Sequence, residues 1–420
     1  MIKSFLSQVS IAAKAFSPQQ QSILPYEKII VYLGNEASDA DTMISALCYS
    51  YLRHSIDSKT NPKVFHLPIV PIPRSEVCLR QDVNVLLQTI GMSINDLISI
   101  DEVAFKDINK VNPLKYVLLD HNLLSVKTMS YFSDENAVVD SENFDVLEIL
   151  DHHIDLKKHL HCTGSNRRVA FNEAIAKPEV GSACTLVFEQ FREQAPALLD
   201  DAVATLLMGV IALDTMNMDP SIGKGTARDQ AALEALSQIA VANRQALFDR
   251  LRLSKMDIEF WKSLSADNAC KLDYKSFSAT LTNGRSISYG MSSVLLPVEL
   301  MLTKPDILAT VQKYLVADKQ DLLIVASFVD GEKPYRQVLI FARSQEKLLR
   351  VSDYLRAIDA DSSKPTNLKF GLDPIVFQGN ELSVVSQLLA AGAHCVAFNK
   401  SNLQMSRKQL APIFSDFYST

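Results

Sequence analysis

Continuous apolar runs alternate with helical stripes along the first half of the chain. Residues 29–33 (Ile-Ile-Val-Tyr-Leu) form an unbroken apolar run, the pattern of a parallel strand covered on both faces. Gly34 ends it. After Asp41, the positions Ile44, Leu47, Cys48, Tyr51 and Leu52 fall at i, i+3, i+4, i+7 and i+8, which predicts a helix. A second strand is expected over 64–70, leading into Pro71-Ile72-Pro73-Arg74-Ser75-Glu76. A helix over 77–90 would carry Leu79, Val83, Leu86 and Leu87 on one face. Residues 116–119 and 146–150 predict a third and a fourth strand, and the nearly all-apolar stretch 202–213 predicts a core helix. This alternation argues for an α/β fold with a doubly wound parallel sheet.

Farther along, Gly223-Lys224-Gly225 precedes a charged helical region from 227 to about 268, read as a bridge. Strands expected at 287–291, 322–328 and 337–341, with helices between them, define a second, smaller α/β domain. The expected organisation is a catalytic domain over 1–225, a helical linker over 226–273 and a C-terminal domain over 274–420. At the N-terminus, Ile2, Phe5, Val9, Ala12, Ala13 and Phe16 recur at helical spacing without any acidic residue before Pro25. A packed helix and a mitochondrial presequence both fit that pattern. Presequences are usually Arg-rich and this stretch has no Arg, which favours the packed helix and a cytoplasmic protein.

Composition removes several classes of partner. With 420 residues and a net charge of −6, the chain has no global basic field for nucleic acid or an anionic membrane. No apolar run approaches the roughly 18 residues of a membrane span. Six scattered cysteines without a CxxC pair argue against a thiolate zinc site or a disulfide framework, and for a reducing compartment.

The candidate chemistry sits where the predicted elements end. Asp151-His152-His153 closes the fourth strand, delivering a carboxylate and two imidazoles to the sheet edge where open α/β folds place ligands. Asn35-x3-Asp39-Ala40-Asp41 follows the first strand, Asp120 the third, and Asp214 ends the apolar helix. Each has an ordinary alternative: Asp39 and Asp41 as helix N-terminal carboxylates, Asp120-His121 as a turn, Asp214 as a solvated helix end. Gathered in one cleft, however, these carboxylates would repel strongly unless cations joined them. Two divalent metals about 3.5–4 Å apart, bridged by one carboxylate, relieve that repulsion and ready a water for attack on phosphorus. The implied chemistry is metal-assisted hydrolysis of a phosphoester or phosphoanhydride.

These motifs resemble the DHH phosphoesterase superfamily, and within it the exopolyphosphatase and prune branch. The resemblance rests on residues 34–41, Ile72-Pro73-Arg74-Ser75-Glu76, Leu119-Asp120-His121-Asn122, Asp151-His152-His153 with Asp155 to His159, Gly181-Ser182-Ala183-Cys184, Asp214-x-x-Asn217-Met218 and the C-terminal Ser406-Arg407-Lys408-Gln409. It implies Asn35 and Asp39 at one metal, Asp41, His152 and Asp214 at the other, and Asp120 bridging both. Asp151 would orient an imidazole, and His153 would contact the substrate phosphate or give a proton to the leaving oxygen. Arg407 and Lys408 would hold phosphates from the second domain, with Arg74 a further candidate, in an active site in the interdomain cleft. The implied activity is an exopolyphosphatase using Mn²⁺, Mg²⁺ or Co²⁺ on short inorganic polyphosphate. A cyclic-nucleotide (cAMP) phosphodiesterase and a non-catalytic interaction scaffold of the same fold are the alternatives. One departure separates this chain from the superfamily's pyrophosphatases, which carry His where it has Asn35; an amide is the poorer transition-metal ligand, so Mg²⁺ and chains longer than pyrophosphate are expected.

Overall fold

A computed structural model describes residues 1–14, 26–133, 140–281, 284–363 and 369–419. They form two compact units, Met1–Lys255 and Met256–Thr420.

In the first unit, β1 (Lys28–Leu33), β2 (Val64–Ile69), β3 (Leu114–Leu119), β4 (Val146–Asp151) and β5 (Arg167–Val169) make a wholly parallel sheet in the order β2-β1-β3-β4-β5. The apolar run of β1 is buried throughout from Ile29 to Leu33, as a strand with neighbours on both edges and helices on both faces requires. The chain leaves β1 toward β2 and returns across it to β3, so the strand order reverses between β1 and β3. A crevice opens outside the carboxyl ends of strands at such a switch point. Beyond β5, β6 (Phe171–Asn172) and β7 (Lys177–Pro178) pair as a short ribbon.

The helix Asp201–Asp214 is apolar on all sides because it is enclosed. Val203 to Leu213 are buried, and Gly209 lies so close to its neighbours that a Cβ there would meet Leu86 Cδ1 at 2.7 Å and Leu247 Cδ2 at 3.2 Å. The helices Ala227–Ser237 and Arg244–Lys255 supply part of that enclosure through Leu233, Leu236, Leu247, Phe248 and Leu251. Of the stretch expected as a bridge, 226–273, everything up to Lys255 therefore lies in the first compact unit. The N-terminal helix Ile2–Lys14 also packs on this core, through Ile2, Phe5, Leu6, Val9 and Ala13; residues 15–25, including Phe16, lie outside the described residues.

The helix expected over 77–90 is two helices, Arg74–Val77 and Gln81–Thr89. The break falls at Arg80, which adopts φ −88° and ψ 72° and turns its side chain inward until the residue is only 3% exposed. Long-range hydrogen bonds to the loop after β1, not local propensity, set this interruption.

The second unit holds a mixed sheet of β8 (Tyr274–Thr280), β9 (Ser286–Val294), β10 (Gln320–Val329), β11 (Tyr335–Ala342), β12 (Leu372–Pro374) and β13 (His394–Lys400) in the order β12-β13-β11-β10-β9-β8. The pair β9–β10 is parallel and the other pairs are antiparallel. Tyr289, Ile324, Ile340, Phe398 and Phe414 are among its core residues. Among the described residues, no helix is long and apolar enough to cross a membrane.

Candidate metal centre

The loop after β1 is shaped by a close approach and by one carboxamide. A Cβ on Gly34 would lie 2.0 Å from Thr42 Cγ2, so only glycine lets the strand end meet the next helix this closely. Asn35 Oδ1 accepts from Ala37 N at 2.8 Å, while its Nδ2 donates to Asp120 Oδ2 at 2.6 Å. Both ends of the amide are thereby engaged, and Asn35 serves here as a donor to Asp120. Ser38 follows with φ 50°, and Asp39 caps the helix Ala40–Thr60 by accepting from Thr42 N at 3.0 Å.

Asp41, 3% exposed in the first turn of that helix, faces another helix N-terminus. Its Oδ1 accepts from Ser182 Oγ (2.7 Å) and Cys184 N (2.9 Å), and its Oδ2 accepts from Ala183 N (2.7 Å), at the start of Ala183–Gln194. Free amides and the helix dipole favour a carboxylate there. Asp41 Oδ2 also lies 3.8 Å from His152 Nε2.

Asp120 is held in a left-handed conformation, φ 62°, which Asp tolerates better than most residues but which stores strain next to functional groups. Its Oδ2 accepts from Asn35 Nδ2 and from Thr42 Oγ1 at 2.9 Å. Its Oδ1 is buried and receives no hydrogen bond among the described residues, although His152 Nε2 is 3.2 Å away and His153 Nδ1 is 3.5 Å away. Burial, with Asp41 close by, pushes the Asp120 carboxyl up to about 7.

His152 completes the geometry. Its Nδ1 contacts the carbonyl of Val180 at 3.0 Å, an oxygen that can only accept, so Nδ1 carries the proton. In the neutral ring Nε2 then presents a lone pair, aimed at two carboxylates. Three electron-rich atoms meeting at one point need a proton or a cation between them. Asp120, His152 and His153 form a group whose ligand atoms lie within 4.8 Å of one another. A transition-metal cation fits this donor set of imidazole nitrogen and carboxylate oxygen.

Asp151 stands behind the centre. Fully buried, it accepts from His152 N (2.8 Å), His153 N (3.2 Å) and His153 Nδ1 (2.8 Å), so its work is on the orientation of His153. Burial opposes its ionisation, but the hydrogen bond and charge of His153 hold the carboxyl well below the usual range. His153 is the more open of the two imidazoles, with 31% of its side chain exposed against 7% for His152. Asp214 ends its helix with Oδ2 buried and unbonded among the described residues; burial, then the charges of Asp41 and Asp39, raise it well above the ordinary value.

Not every expected residue joins this group. Arg74 donates Nε to Glu102 Oε1 at 3.0 Å and Nη1 to the Ile94 carbonyl at 3.3 Å. Arg407, in the second unit, is 9% exposed and pairs through Nη1 with Asp273 Oδ1 at 2.6 Å. The Lys408 side chain lies outside the described residues. Three supporting residues had no role assigned from the sequence. Arg80 donates Nε to the Ser38 carbonyl at 2.8 Å and Nη2 to that of Ala37, holding the loop that carries Asp39 and Asp41. Asn122 braces Asp151, and Asp229 accepts from Gly181 N at 2.7 Å. The sequence signal for Asp229 was Thr226-x-x-Asp229, a helix capping box.

A parallel sheet with carboxylates and imidazoles at its reversal point, joined to a mixed-sheet unit, defines a class. Residues 28–211 match the DHH family, N-terminal domain, and residues 251–417 match the DHHA2 domain. The chain belongs to the DHH phosphoesterases, with a DHHA2 domain following the DHH domain. It is similar to the human protein named Exopolyphosphatase PRUNE1, at 27% identity over 93% of this chain and 75% of that protein. It is also similar to the manganese-dependent inorganic pyrophosphatase of Methanothrix thermoacetophila, at 23% identity over 70% of this chain and 80% of that one. Among solved structures, a Methanococcus jannaschii protein assigned to the family II inorganic pyrophosphatases shares the fold, with a TM-score of 0.55 at 17% identity, covering 93% of this chain and 99% of that one.

Proposed function

We propose that the chain is a metal-dependent exopolyphosphatase that hydrolyses the terminal phosphoanhydride bond of short-chain inorganic polyphosphate. The observation that carries this reading is the convergence of Asp120 Oδ1, His152 Nε2 and Asp41 Oδ2, with His152 committed through Nδ1 to Val180. The choice among phosphorylated substrates rests on the similarity to PRUNE1.

Asp120, His152 and Asp41 would hold divalent cations, with Asp214 and Asp39 supplying further charge. Two such ions, Mn²⁺, Mg²⁺ or Co²⁺, would supply a water acidic enough to ionise near neutral pH and positive charge for the phosphoryl oxygens. His153, oriented through Asp151, hands its proton to the leaving phosphate oxygen. Asn35 and Thr42 occupy one oxygen of Asp120 and fix the direction of the other. By their likeness to the basic motif of the second domain, Arg407 and Lys408 would be phosphate-binding residues of that unit.

The test is phosphate release from tripolyphosphate, pyrophosphate and cyclic AMP with each metal, run beside Asp41→Ala and His152→Ala. Tripolyphosphate should be the fastest substrate and both variants should lose at least tenfold. Faster turnover of cyclic AMP would move the substrate, and equal activity in both variants would move the site.

A further inference from the structure

Residues 180–184 touch both sides of the centre. The Val180 carbonyl accepts from His152 Nδ1 at 3.0 Å, fixing the imidazole. Ser182 Oγ, Ala183 N and Cys184 N donate to Asp41 at 2.7, 2.7 and 2.9 Å, fixing the carboxylate opposite. The distance between these two groups is thus set by one five-residue segment. Within it, Gly181 is packed so tightly that a Cβ would meet Thr215 Cγ2 at 2.7 Å and the Lys224 carbonyl at 2.9 Å.

The anchor of that segment is Asp229. In a capping box the acidic residue bonds back to its own helix start, and Asp229 Oδ2 does so, accepting from Thr226 N and Thr226 Oγ1 at 2.8 Å each. The same oxygen also takes the amide of Gly181 at 2.7 Å, and Oδ1 takes Thr185 Oγ1 at 2.6 Å. The residue is fully buried. A carboxylate with four donors converts a helix cap into a clamp on both ends of the 181–185 turn.

We propose that Asp229 is a positioning residue for the metal centre: by clamping Gly181 and Thr185 it sets the segment that holds His152 against Asp41. This rests on reading the centre as a metal site. It ties cation affinity to the docking of the helix Ala227–Ser237, a helix that supplies no ligand.

The experiment is Mn²⁺ titration calorimetry on the full chain, with thermal unfolding in EDTA alongside. Asp229→Ala should weaken Mn²⁺ binding by roughly tenfold, the low end of the range for residues bonded directly to metal ligands, because Asp229 acts on them through Gly181 and Thr185. Asp229→Asn should stay near wild type, because the amide oxygen can face Gly181 and Thr226 while the amide nitrogen donates to Thr185 Oγ1. As a control, Asp306→Ala removes an acceptor for Ala266 N (2.8 Å) at another helix start, in the second unit, and should lower the unfolding temperature without changing Mn²⁺ affinity. If Asp229→Ala fails to fold, Thr185→Val removes a single donor and should weaken binding several-fold. Wild-type affinity in Asp229→Ala or in Thr185→Val overturns the proposal, as does Asp229→Asn binding no better than Asp229→Ala. A wild-type chain that binds no Mn²⁺ overturns the metal reading itself, which separates the two failures.

Discussion

Asn122 donates Nδ2 to Asp151 Oδ2 at 2.5 Å and accepts the Leu156 amide on Oδ1 at 2.9 Å, so one buried carboxamide ties the end of β4 to the loop that follows it. Asp151 uses its other oxygen on His153. Removing Asn122 therefore strips a donor from a fully buried carboxylate. Asn122→Ala should cost about 2–3 kcal/mol of stability. It should also lower turnover by about 10–100-fold as His153 loses its fixed direction. Denaturant unfolding and steady-state kinetics read the two effects separately; a stability loss with unchanged turnover would mean that Asp151 orients His153 unaided.

Arg80 and Arg74 exchange the weights that the sequence suggests. Arg74 belongs to a recognisable motif, yet its guanidinium bonds Glu102 and the Ile94 carbonyl. Arg80, inside a predicted helix, supports the loop between Asn35 and Asp39. Arg80→Met should cost about 2–4 kcal/mol by leaving two carbonyls unpaired. Arg80→Lys should recover only part, because one ammonium cannot span both acceptors in a fork. Arg74→Ala should leave the KM for tripolyphosphate unchanged, and a tenfold rise would return Arg74 to the substrate.

What was legible in the sequence is what local pattern controls. The run Ile29 to Leu33 reads as a strand buried on both faces, and strand ends mark where a parallel sheet binds ligands, so Asp120 and His152 were candidates from the sequence alone, and the structure brings them within 3.2 Å of each other. The spacing of Leu79, Val83, Leu86 and Leu87 concealed a break, because Arg80 is drawn inward by carbonyls 42 and 43 residues away in sequence. The helices after Thr226 read as a bridge because their outer faces are charged, although Asp229, Ala232, Leu233 and Leu236 form a buried stripe. β12 and β13 passed unread: the first spans three residues, and the second is His-Cys-Val-Ala-Phe-Asn-Lys, only part of which is apolar.

Lys400 gives the second unit a pH dependence of its own. The residue is 2% exposed, its Nζ donates to the Met405 carbonyl at 2.9 Å, and burial, with Arg336 nearby, lowers its pKa to about 7. An unfolded lysine titrates near 10.4. Between these values the unfolded chain binds the extra proton, so this residue's contribution makes stability rise with pH from about 7 to about 10. Lys400→Met should be relatively most stable at or below pH 7, and its advantage over wild type should shrink steadily toward pH 10. Paired denaturant curves at several pH values check this, and a difference that stays flat across the window would show that the ammonium remains charged when folded.

Cations should stabilise the first unit as well as serve its chemistry. Asp120 Oδ1 and Asp214 Oδ2 are buried and unbonded among the described residues, and both carboxyls are pushed toward their neutral forms by burial and by Asp41. A cation that binds only the folded chain stabilises it by about 2.7 kcal/mol at a free concentration one hundred times its dissociation constant. For a unit of this size that corresponds to a rise of about 5–10 °C in unfolding temperature, reversed by EDTA. His152→Ala should lose most of the rise because the imidazole nitrogen is gone, whereas Arg74→Ala should keep all of it. Calorimetric scans with and without Mn²⁺ measure each. An equal Mn²⁺ shift in wild type and His152→Ala would place the bound ion away from Asp120.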